Sequence, residues 1–478
     1  MFSTEINNLI SSYVRAIEAN NAAVFIGSGL SIPSGACNWK DLLRDCGKEI
    51  NLDVDKEYDL TKLAQYYVNE NGYNKHKLVQ HIINKLKPIC NSTKNHEILA
   101  SLPIDTYWTT NYDTLIEDTL KNNCKNVDVK KCSSDMSYTT PNKDVVVYKM
   151  HGDINIPNET VITKDDYDTY NKGHKLFTVK LCGDMVARDF LFLGFGFEDH
   201  NLDHILTQLK QEQGTNVRTH YCIMKNLSAS EFPNNQEFEY AKIKLTYKVR
   251  DLKRYGINVV FVEKYDDITE ILNNIRNRIN RKHIFISGSA YEYGSFGRTK
   301  LENFVSKLSS TLIFNEFKIV SGYGLGIGSS VISGAIEQIY KQGHNCKIEQ
   351  NLLLRPFPLD PASKEYWTRY REDMLSNAGV AIFVCGNKYD RITNTITEAN
   401  GMIEEFEIAS KLGVIPIPIP TTEYTAKNIW EKVMDNFDKY VAIPSLKSEY
   451  EKLGNTSNSD EIIEIIIEIL NNLAKGEY

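Results

Sequence analysis

The stretch AAVFIGSGLS, residues 22–31, decides the fold of the first half of the chain. It is a short apolar run that passes directly into a turn rich in glycine and serine. The segment before it carries apolar residues at helical spacing: Ile6, Leu9, Ile10, Tyr13 and Ile17. Together these patterns predict an amphipathic helix, then a buried strand, then a tight turn.

Further short apolar runs follow, most of them separated by helix-length segments: 107–110, 145–150, 190–194, 221–224 and 259–262. Such alternation predicts a parallel sheet with helices on its faces. Residues 266–281 form one more helical stripe, after which HIFISGSA, residues 283–290, begins a new strand and glycine turn. We therefore predict a domain boundary near Lys282, with domains at 1–282 and 283–478.

The second half repeats this logic with the strand-like segments IFIS, FKIVSG, LLLRP, VAIFVCG and VIPIPI. The predicted fold class is therefore α/β, with two doubly wound Rossmann-like domains built on parallel sheets. Near the end, DEIIEIIIEILNNL, residues 460–473, is very apolar, but glutamates interleave with its isoleucines. This pattern favours a helix that packs into the core over one that binds a membrane.

Composition and charge exclude several classes of protein. A formal net charge of −7 argues against broad binding of nucleic acid, which needs a concentrated basic face. No apolar run approaches the roughly 20 residues that span a bilayer, and the first residues do not resemble a signal peptide, so we expect no membrane association and a cytoplasmic location. The nine cysteines are never spaced as CxxC, which predicts free thiols and no metal site.

The turn at residues 27–31 predicts a phosphate-binding function. Glycines directly after a strand let backbone N–H groups approach a pyrophosphate, and the start of the next helix favours its charge. Many glycine turns serve only to reverse the chain, so this turn alone leaves both interpretations open.

Three later segments lie at predicted strand ends, where a doubly wound sheet gathers its ligand: TTNYD (109–113), KMHGD (149–153) and LGFGFED (193–199). With GSGLS, they resemble the sirtuin family, whose pattern is a GAGxS turn, a TQNxD-type segment, an HG pair and a GTS or GFS turn. The resemblance covers residues 1–283 and implies that the domain binds NAD.

By this resemblance, Asn111 orients water and ribose hydroxyls, His151 is the general base, and Asp113 holds the nicotinamide amide or the ribose. An amide and an imidazole suit cleavage of the nicotinamide–ribose bond, which passes through an oxocarbenium-like state. The alternatives are a helix-capping Asn111 or Asp113 and a core histidine. The residues implied to bind NAD are Gly27, Ser28, Gly29, Ser31, Gly194, Gly196 and Asp199.

Departures from the sirtuin pattern bear on the reaction. The Phe-Arg cofactor loop of protein-deacylating sirtuins has no counterpart, because the chain reads ACNWKDLL after Gly35. Their four-cysteine zinc module has none either, because Cys182 is the one cysteine between His151 and Gly194. Gly196 stands where the family has a serine, which removes a side-chain hydrogen bond at that turn. Water is thus the favoured acceptor; an NAD-dependent protein deacylase and a noncatalytic nucleotide-binding module are the alternatives.

The second half carries two glycine turns at adjacent predicted strand ends, SGSA (287–290) and SGYGLGIG (321–328), which can form a phosphate cradle. This half resembles the SLOG superfamily of nucleotide-ligand sensors. The PGGxGTxxE pattern of its phosphoribohydrolases is not matched, so binding is favoured over cleavage. The predicted regulatory ligand-binding residues are Gly288, Ser289, Gly322, Gly324, Gly326, Arg371, Lys388 and Glu405.

Among these residues, Arg371 and Lys388 can pair with phosphates, and Glu405 with ribose hydroxyls. Each of the three can instead be an ordinary surface charge.

A zinc-free sirtuin-like domain followed by a SLOG domain is similar to the NAD hydrolase effectors of Thoeris antiphage defence systems. The segments GSGLS, TTNYD, YKMHGD, FLFLGF, SGSA, LRPFP and YREDM carry this resemblance over nearly the whole chain. It implies a bacterial enzyme that degrades NAD+ to ADP-ribose and nicotinamide when a partner TIR-domain enzyme supplies a cyclic ADP-ribose isomer. The SLOG domain would receive that signal, and the protein would assemble as a homotetramer.

Overall fold

The computed structural model describes residues 2–86, 91–197, 199–214, 217–342, 347–357, 365–390 and 393–475. The chain divides into two compact units, residues 1–276 and 277–478. Both are α/β units built on parallel sheets, which confirms the predicted fold class.

Unit 1 contains a seven-stranded sheet in which every described strand pair is parallel. Its order is β3-β4-β2-β1-β5-β6-β7, so the chain turns to one side of β1 and later returns to the other. The carboxyl ends of the strands beside β1 are where such a sheet binds ligands. The strands are β1 Ala22–Ile26, β2 Thr106–Thr109, β3 Val127–Lys130, β4 Val145–Lys149, β5 Asp189–Leu193, β6 His220–Lys225 and β7 Ile257–Val262.

The predicted first helix is confirmed. It begins after Ser3, whose hydroxyl accepts a hydrogen bond from Ile6 N at 3.3 Å and so caps the helix. The helices of unit 1 are α1 Thr4–Glu18, α2 Trp39–Glu49, α3 Leu60–Glu70, α4 His76–Leu86, α5 Lys94–Ser101, α6 Leu115–Asn122, α7 Lys164–Asp168, α8 Tyr170–Gly173, α9 Lys175–Ala187, α10 His200–Gln213 and α11 Asn235–Arg254. Helix α12, Tyr265–Asn280, begins in unit 1 and ends in unit 2.

Helices α2, α3 and α4 form a small helical module with a hydrophobic cluster of its own. Leu43, Leu63 and Ile82 belong to it, and Tyr112 joins it from the loop after β2. A separate cluster around Phe25 packs against the sheet. The module therefore rests on a loop that the sequence predicts to carry catalytic residues.

Unit 2 contains a five-stranded parallel sheet of order β10-β9-β8-β11-β14 and an antiparallel hairpin of β12 and β13. The hairpin was not predicted, because most of its residues are polar and half of them are exposed. The strands are β8 His283–Ser289, β9 Lys318–Ser321, β10 Leu352–Leu354, β11 Val380–Cys385, β12 Asn387–Asp390, β13 Thr395–Glu398 and β14 Ile415–Pro418.

The last helix of unit 2 packs into the core, as predicted: Ile462, Ile466, Ile469 and Leu473 are all fully buried. Among the helices described, none is long and apolar enough to cross a membrane. The helices of unit 2 are α13 Arg298–Phe314, α14 Gly328–Lys341, α15 Ile348–Asn351, α16 Trp367–Ser376, α17 Asn400–Leu412, α18 Tyr424–Asp435, α19 Phe437–Tyr440, α20 Lys447–Asn455 and α21 Ser459–Lys475.

The seven cysteines within the described residues are free thiols, as predicted. Cys90 and Cys346 lie outside the described residues.

Candidate functional site

A cavity of about 480 Å³ lies in unit 1, bordered by the loops that follow β1, β2, β4 and β5. The helical module contributes Trp39 and Thr61 to its wall, and the loop before α3 contributes Tyr58. Tyr167 of α7 and His200 of α10 also line it. Eight of the sequence-predicted residues line it: Ser28, Ser31, Asn111, Asp113, His151, Gly194, Gly196 and Asp199. The structure thus brings together the three predicted catalytic residues and five of the seven residues predicted to bind NAD.

The other two, Gly27 and Gly29, do not line the cavity; their backbones contact the turn after β5. Gly27 N donates to Leu193 O at 2.9 Å, and Gly29 N donates to Gly194 O at 2.9 Å, so the turns after β1 and β5 pack backbone against backbone. A Cβ on Gly27 would clash with the Gly194 carbonyl. These glycines are therefore required for the close approach of two turns, whatever the turns bind.

Asn111 is held at the cavity by contacts at both its backbone and its side chain. Thr109 Oγ1 donates to Ile26 O at 2.9 Å and accepts from Asn111 N at 2.9 Å, which ties the ends of β1 and β2 together. Asn111 Nδ2 donates to Ser31 Oγ at 3.3 Å. The side chain of Asn111 thus bridges the first glycine turn and the loop after β2.

His151 is almost fully buried beside a carboxylate and an amide. Its Nε2 lies 3.4 Å from Asp199 Oδ2 and 3.4 Å from Asn201 Nδ2. Burial lowers the pKa of His151, although Asp199 and Asp166 oppose this effect. The imidazole is therefore neutral at pH 7, the form that a general base requires.

Asp113 both caps a local turn and lines the cavity. Its Oδ1 accepts a hydrogen bond from Leu115 N at 3.1 Å, a local contact at the start of α6 that fits the capping alternative. The same residue also lines the cavity. Asp113 can therefore stabilise the turn before α6 and still face a substrate in the cavity.

A buried charge network beneath the cavity was missed at the sequence level. Lys149 Nζ donates to Glu117 Oε1 at 2.8 Å, to Asp153 Oδ2 at 2.5 Å and to the carbonyls of Tyr112 and Asp113. Burial opposes the charge on Lys149, but Glu117 and Asp153 together raise its pKa, while burial raises the pKa of Glu117. The one available signal was a lysine inside the apolar run VVVYKM.

This network connects two loops that carry candidate catalytic residues. Asp153 follows His151 in the loop after β4, whereas the two carbonyls belong to the loop that contains Asn111. Lys149 therefore fixes the spacing between Asn111 and His151.

Within the described part of the chain, no group of three or more His, Cys, Asp or Glu side chains is arranged to hold a metal ion. The expectation that the reaction needs no metal stays a prediction.

In unit 2, the two glycine turns pack against each other at the carboxyl ends of β8 and β9. A Cβ on Gly324 would clash with the carbonyl of Gly288, and one on Gly326, whose φ is +86°, would clash with the carbonyl of Ala290. Ser289 Oγ donates to Asn387 O at 3.1 Å. The predicted residues Gly288, Ser289, Gly322, Gly324 and Gly326 are therefore neighbours.

Arg371 and Glu405 are buried, so they are not ordinary surface charges. Arg371 Nη1 lies 2.8 Å from Glu404 Oε2, and its Nε lies 3.5 Å from Glu405 Oε1. Glu405 Oε2 accepts from Ser287 Oγ at 2.5 Å, and burial raises its pKa to about 6. Lys388 lies on β12 with its side chain exposed, as the surface-charge alternative has it.

Comparison with protein families assigns both halves of the chain. The SIR2-like domain model matches residues 105–246, and the model of the Sir2- and TIR-associating SLOG family matches residues 267–473. The order of the two domains agrees with the predicted sirtuin-like domain followed by a SLOG domain.

Several relatives match over nearly their whole length. An NAD(+) hydrolase ThsA of Acinetobacter baumannii is 43% identical over 479 residues, covering 98% of this chain and 98% of that protein. The NAD(+) hydrolase ThsA of Enterococcus faecium is 43% identical, covering 97% of this chain and 98% of that protein. That of Cytobacillus dafuensis is 41% identical, covering 99% and 98%. By this identity over both full chains, the protein belongs to the NAD(+) hydrolase ThsA family.

Proposed function

We propose that the unit 1 cavity hydrolyses NAD+ to ADP-ribose and nicotinamide. The observation that carries this proposal is the meeting of Asn111 and His151 at one cavity, in a chain whose full-length relatives are named NAD(+) hydrolases. In the reaction, the C1′–N bond of the nicotinamide ribose breaks and its electron pair leaves with nicotinamide. Water supplies the oxygen of the new C1′–O bond and releases one proton.

Asn111 is suited to orient the water and the ribose. Its amide can donate and accept hydrogen bonds, and the contacts to Ser31 and Thr109 restrict its orientation. His151 is suited to take the proton, because its burial keeps the imidazole neutral near pH 7.

Water is the acceptor in this proposal. The four-cysteine module that accompanies protein-deacylating sirtuins has no counterpart between His151 and Gly194. The test is nicotinamide release from NAD+ in the absence of any acylated peptide.

We propose that unit 2 senses a cyclic ADP-ribose isomer supplied by a TIR-domain enzyme. The protein would act as a homotetramer in the cytoplasm, as part of antiphage defence. The matched SLOG family, described as Sir2- and TIR-associating, supports this proposal. So do the two adjoining glycine turns, which suit a phosphate, and the buried Arg371, whose guanidinium can pair with it.

The first experiment measures nicotinamide release by purified protein with and without a cyclic ADP-ribose isomer. We expect ligand-stimulated release in the wild type and in His204→Ala, which changes an exposed histidine of α10, and a loss of at least 100-fold in His151→Ala and Asn111→Ala. Full activity of His151→Ala would refute the assignment of the base. No release by wild type under any condition would refute the hydrolase proposal.

The second experiment tests the sensor. Arg371→Ala should abolish stimulation, whereas Arg369→Ala, an exposed arginine of the same helix, should retain it. Melting curves establish that both variants are folded, and light scattering with and without ligand reports the oligomeric state. Stimulation that persists in folded Arg371→Ala would contradict the proposed binding role, and a monomer under both conditions would contradict the tetramer.

A further inference from the structure

We propose that Asp199 acts on the reaction through His151, as the residue that positions the imidazole and balances its charge, and not as a ligand of NAD+. This inference rests on the proposed function. It assigns to Asp199 a role that differs from the NAD-binding role that the sequence resemblance implies.

The first support is the fixed orientation of the carboxylate. Asp199 Oδ1 accepts from Leu202 N at 3.0 Å and thereby caps α10. Its Oδ2 accepts from the Tyr167 hydroxyl at 3.1 Å and lies 3.4 Å from His151 Nε2. The two oxygens are thus committed to protein groups, and the one nearer the imidazole is held there by a tyrosine.

The second support is the pair of groups of opposite polarity around one nitrogen. The Asn201 amide, 3.4 Å from His151 Nε2, can donate to that nitrogen when it carries a lone pair. The Asp199 carboxylate, at the same distance, can accept from it when it carries a proton. Both protonation states of Nε2 therefore have a partner without any movement of the backbone.

The third support is the burial of His151. A proton taken up from water turns the imidazole into a cation, and a buried cation without a counter-charge is strongly unfavourable. Asp199 Oδ2 lies 3.4 Å from His151 Nε2, whereas Asp166 of α7, which also favours the charged imidazole, is engaged by Lys75 at 2.7 Å. The Asp199 charge is thus placed to stabilise the imidazolium as it forms.

Among the described residues, two tyrosine rings and a second imidazole also face His151. The Tyr167 ring meets the imidazole edge to face at 5.5 Å and the Tyr170 ring does so at 6.1 Å. His174 disfavours a second positive charge nearby, and burial lowers its own pKa. These groups pack against the imidazole but carry no negative charge that could replace the carboxylate.

The test compares Asp199→Asn with Asp203→Asn, which removes an exposed carboxylate from the first turn of the same helix. Asparagine retains the oxygen that caps α10, so folding should be preserved. We expect kcat to fall about 100-fold or more in Asp199→Asn with little change in KM, and both constants to stay near wild type in Asp203→Asn. The acidic limb of the kcat/KM profile should move to lower pH in Asp199→Asn, because the imidazolium loses its counter-charge.

A readout independent of activity is deuterium exchange at the imidazole C2 position of His151, followed by mass spectrometry across pH. The pKa of His151 should fall in Asp199→Asn and stay unchanged in Asp203→Asn. An unchanged His151 pKa in folded Asp199→Asn would overturn the proposal, even if wild type released no nicotinamide.

Two further variants separate the proposed role from binding of NAD+. In a His151→Ala background, adding Asp199→Asn should leave both the residual rate and the NAD+ affinity unchanged, because the partner is already absent. A loss of NAD+ affinity in that background would overturn the proposal in favour of a binding role. Tyr167→Phe, which removes the hydroxyl and keeps the ring, should lower kcat less than Asp199→Asn does.

Discussion

Replacement of Lys149 by methionine is the sharpest test of how the candidate site is held together. Methionine approximates the length of lysine but removes the ammonium group that contacts Glu117, Asp153 and two carbonyls. All three charged side chains are buried. The substitution therefore leaves two buried carboxylates without their shared cation.

The expected magnitude follows from these contacts. Breaking a buried ion pair by removal of one partner destabilises a protein by about 3–5 kcal/mol. Asp153 keeps Lys131 at 3.2 Å, and Glu117, whose pKa is already raised by burial, can take up a proton. We therefore expect a loss at the lower end of that range, about 3 kcal/mol at pH 7.

Urea denaturation followed by tryptophan fluorescence measures this loss, because Trp108 lies buried in the sheet next to β4. Lys164→Met is the matched control: its partner Asp168 is 58% exposed, so the change should stay below about 1 kcal/mol. The Lys149→Met loss should shrink as the pH falls, since protonation of Glu117 removes an unpaired charge. A loss equal to that of the control would refute the assignment of Lys149 as the cation that holds the two loops.

Three further predictions concern the glycine turn, the cavity mouth and a buried histidine. Gly194→Ala should abolish folding or turnover, because its Cβ would clash with the backbone of the first glycine turn. The control Gly72→Ala is also at positive φ but lies in open space, so thermal melts should show a loss of only about 1 kcal/mol in the free energy of unfolding. Tyr58 is fully exposed at the cavity, where its aromatic face can stack on a base of NAD+. Tyr58→Ala should therefore raise KM about 5- to 100-fold, whereas Tyr58→Phe and the exposed control Tyr73→Ala should leave KM unchanged. An unchanged KM in Tyr58→Ala would rule out stacking. Burial lowers the pKa of His220 to about 3, so the unfolded chain binds a proton at this residue more readily than the folded protein does. The free energy of unfolding should therefore fall as the pH drops below about 6.5. Denaturation midpoints of His220→Asn should decline less steeply with falling pH than those of wild type, and an equal decline would contradict the lowered pKa.

Strand β1 and most of β5, which lie next to the unit 1 cavity, were predictable because they are continuous apolar runs. Residues 22–26 and 190–193 are buried at every position, as a strand with helices on both faces must be. The short β3 gave no such signal. Its sequence VDVK alternates, and the buried Asp128 and Lys130 pair with each other at 3.0 Å and with groups from later segments of the chain.

The convergence of Asn111, His151 and the glycine turns was also predictable. Parallel strands carry their ligand-binding loops at one edge of the sheet, so a motif after each of β1, β2, β4 and β5 reaches the same place. The sequence predicted a glycine turn after β1 but not the second role of its glycines. The backbone of Gly27 packs on Gly194 only because β1 and β5 are neighbours in the sheet.

The sequence by itself determined the apolar strands and their order in the chain, the two α/β units and the motifs at the strand ends. These follow from local periodicity and from residues that are near one another in the chain. Only the tertiary structure decided that Lys149 joins two loops, that Asp199 faces His151 and that Arg371 pairs with Glu405. Such pairings depend on the packing of elements far apart in sequence, where a displacement of a few ångströms separates a contact from none.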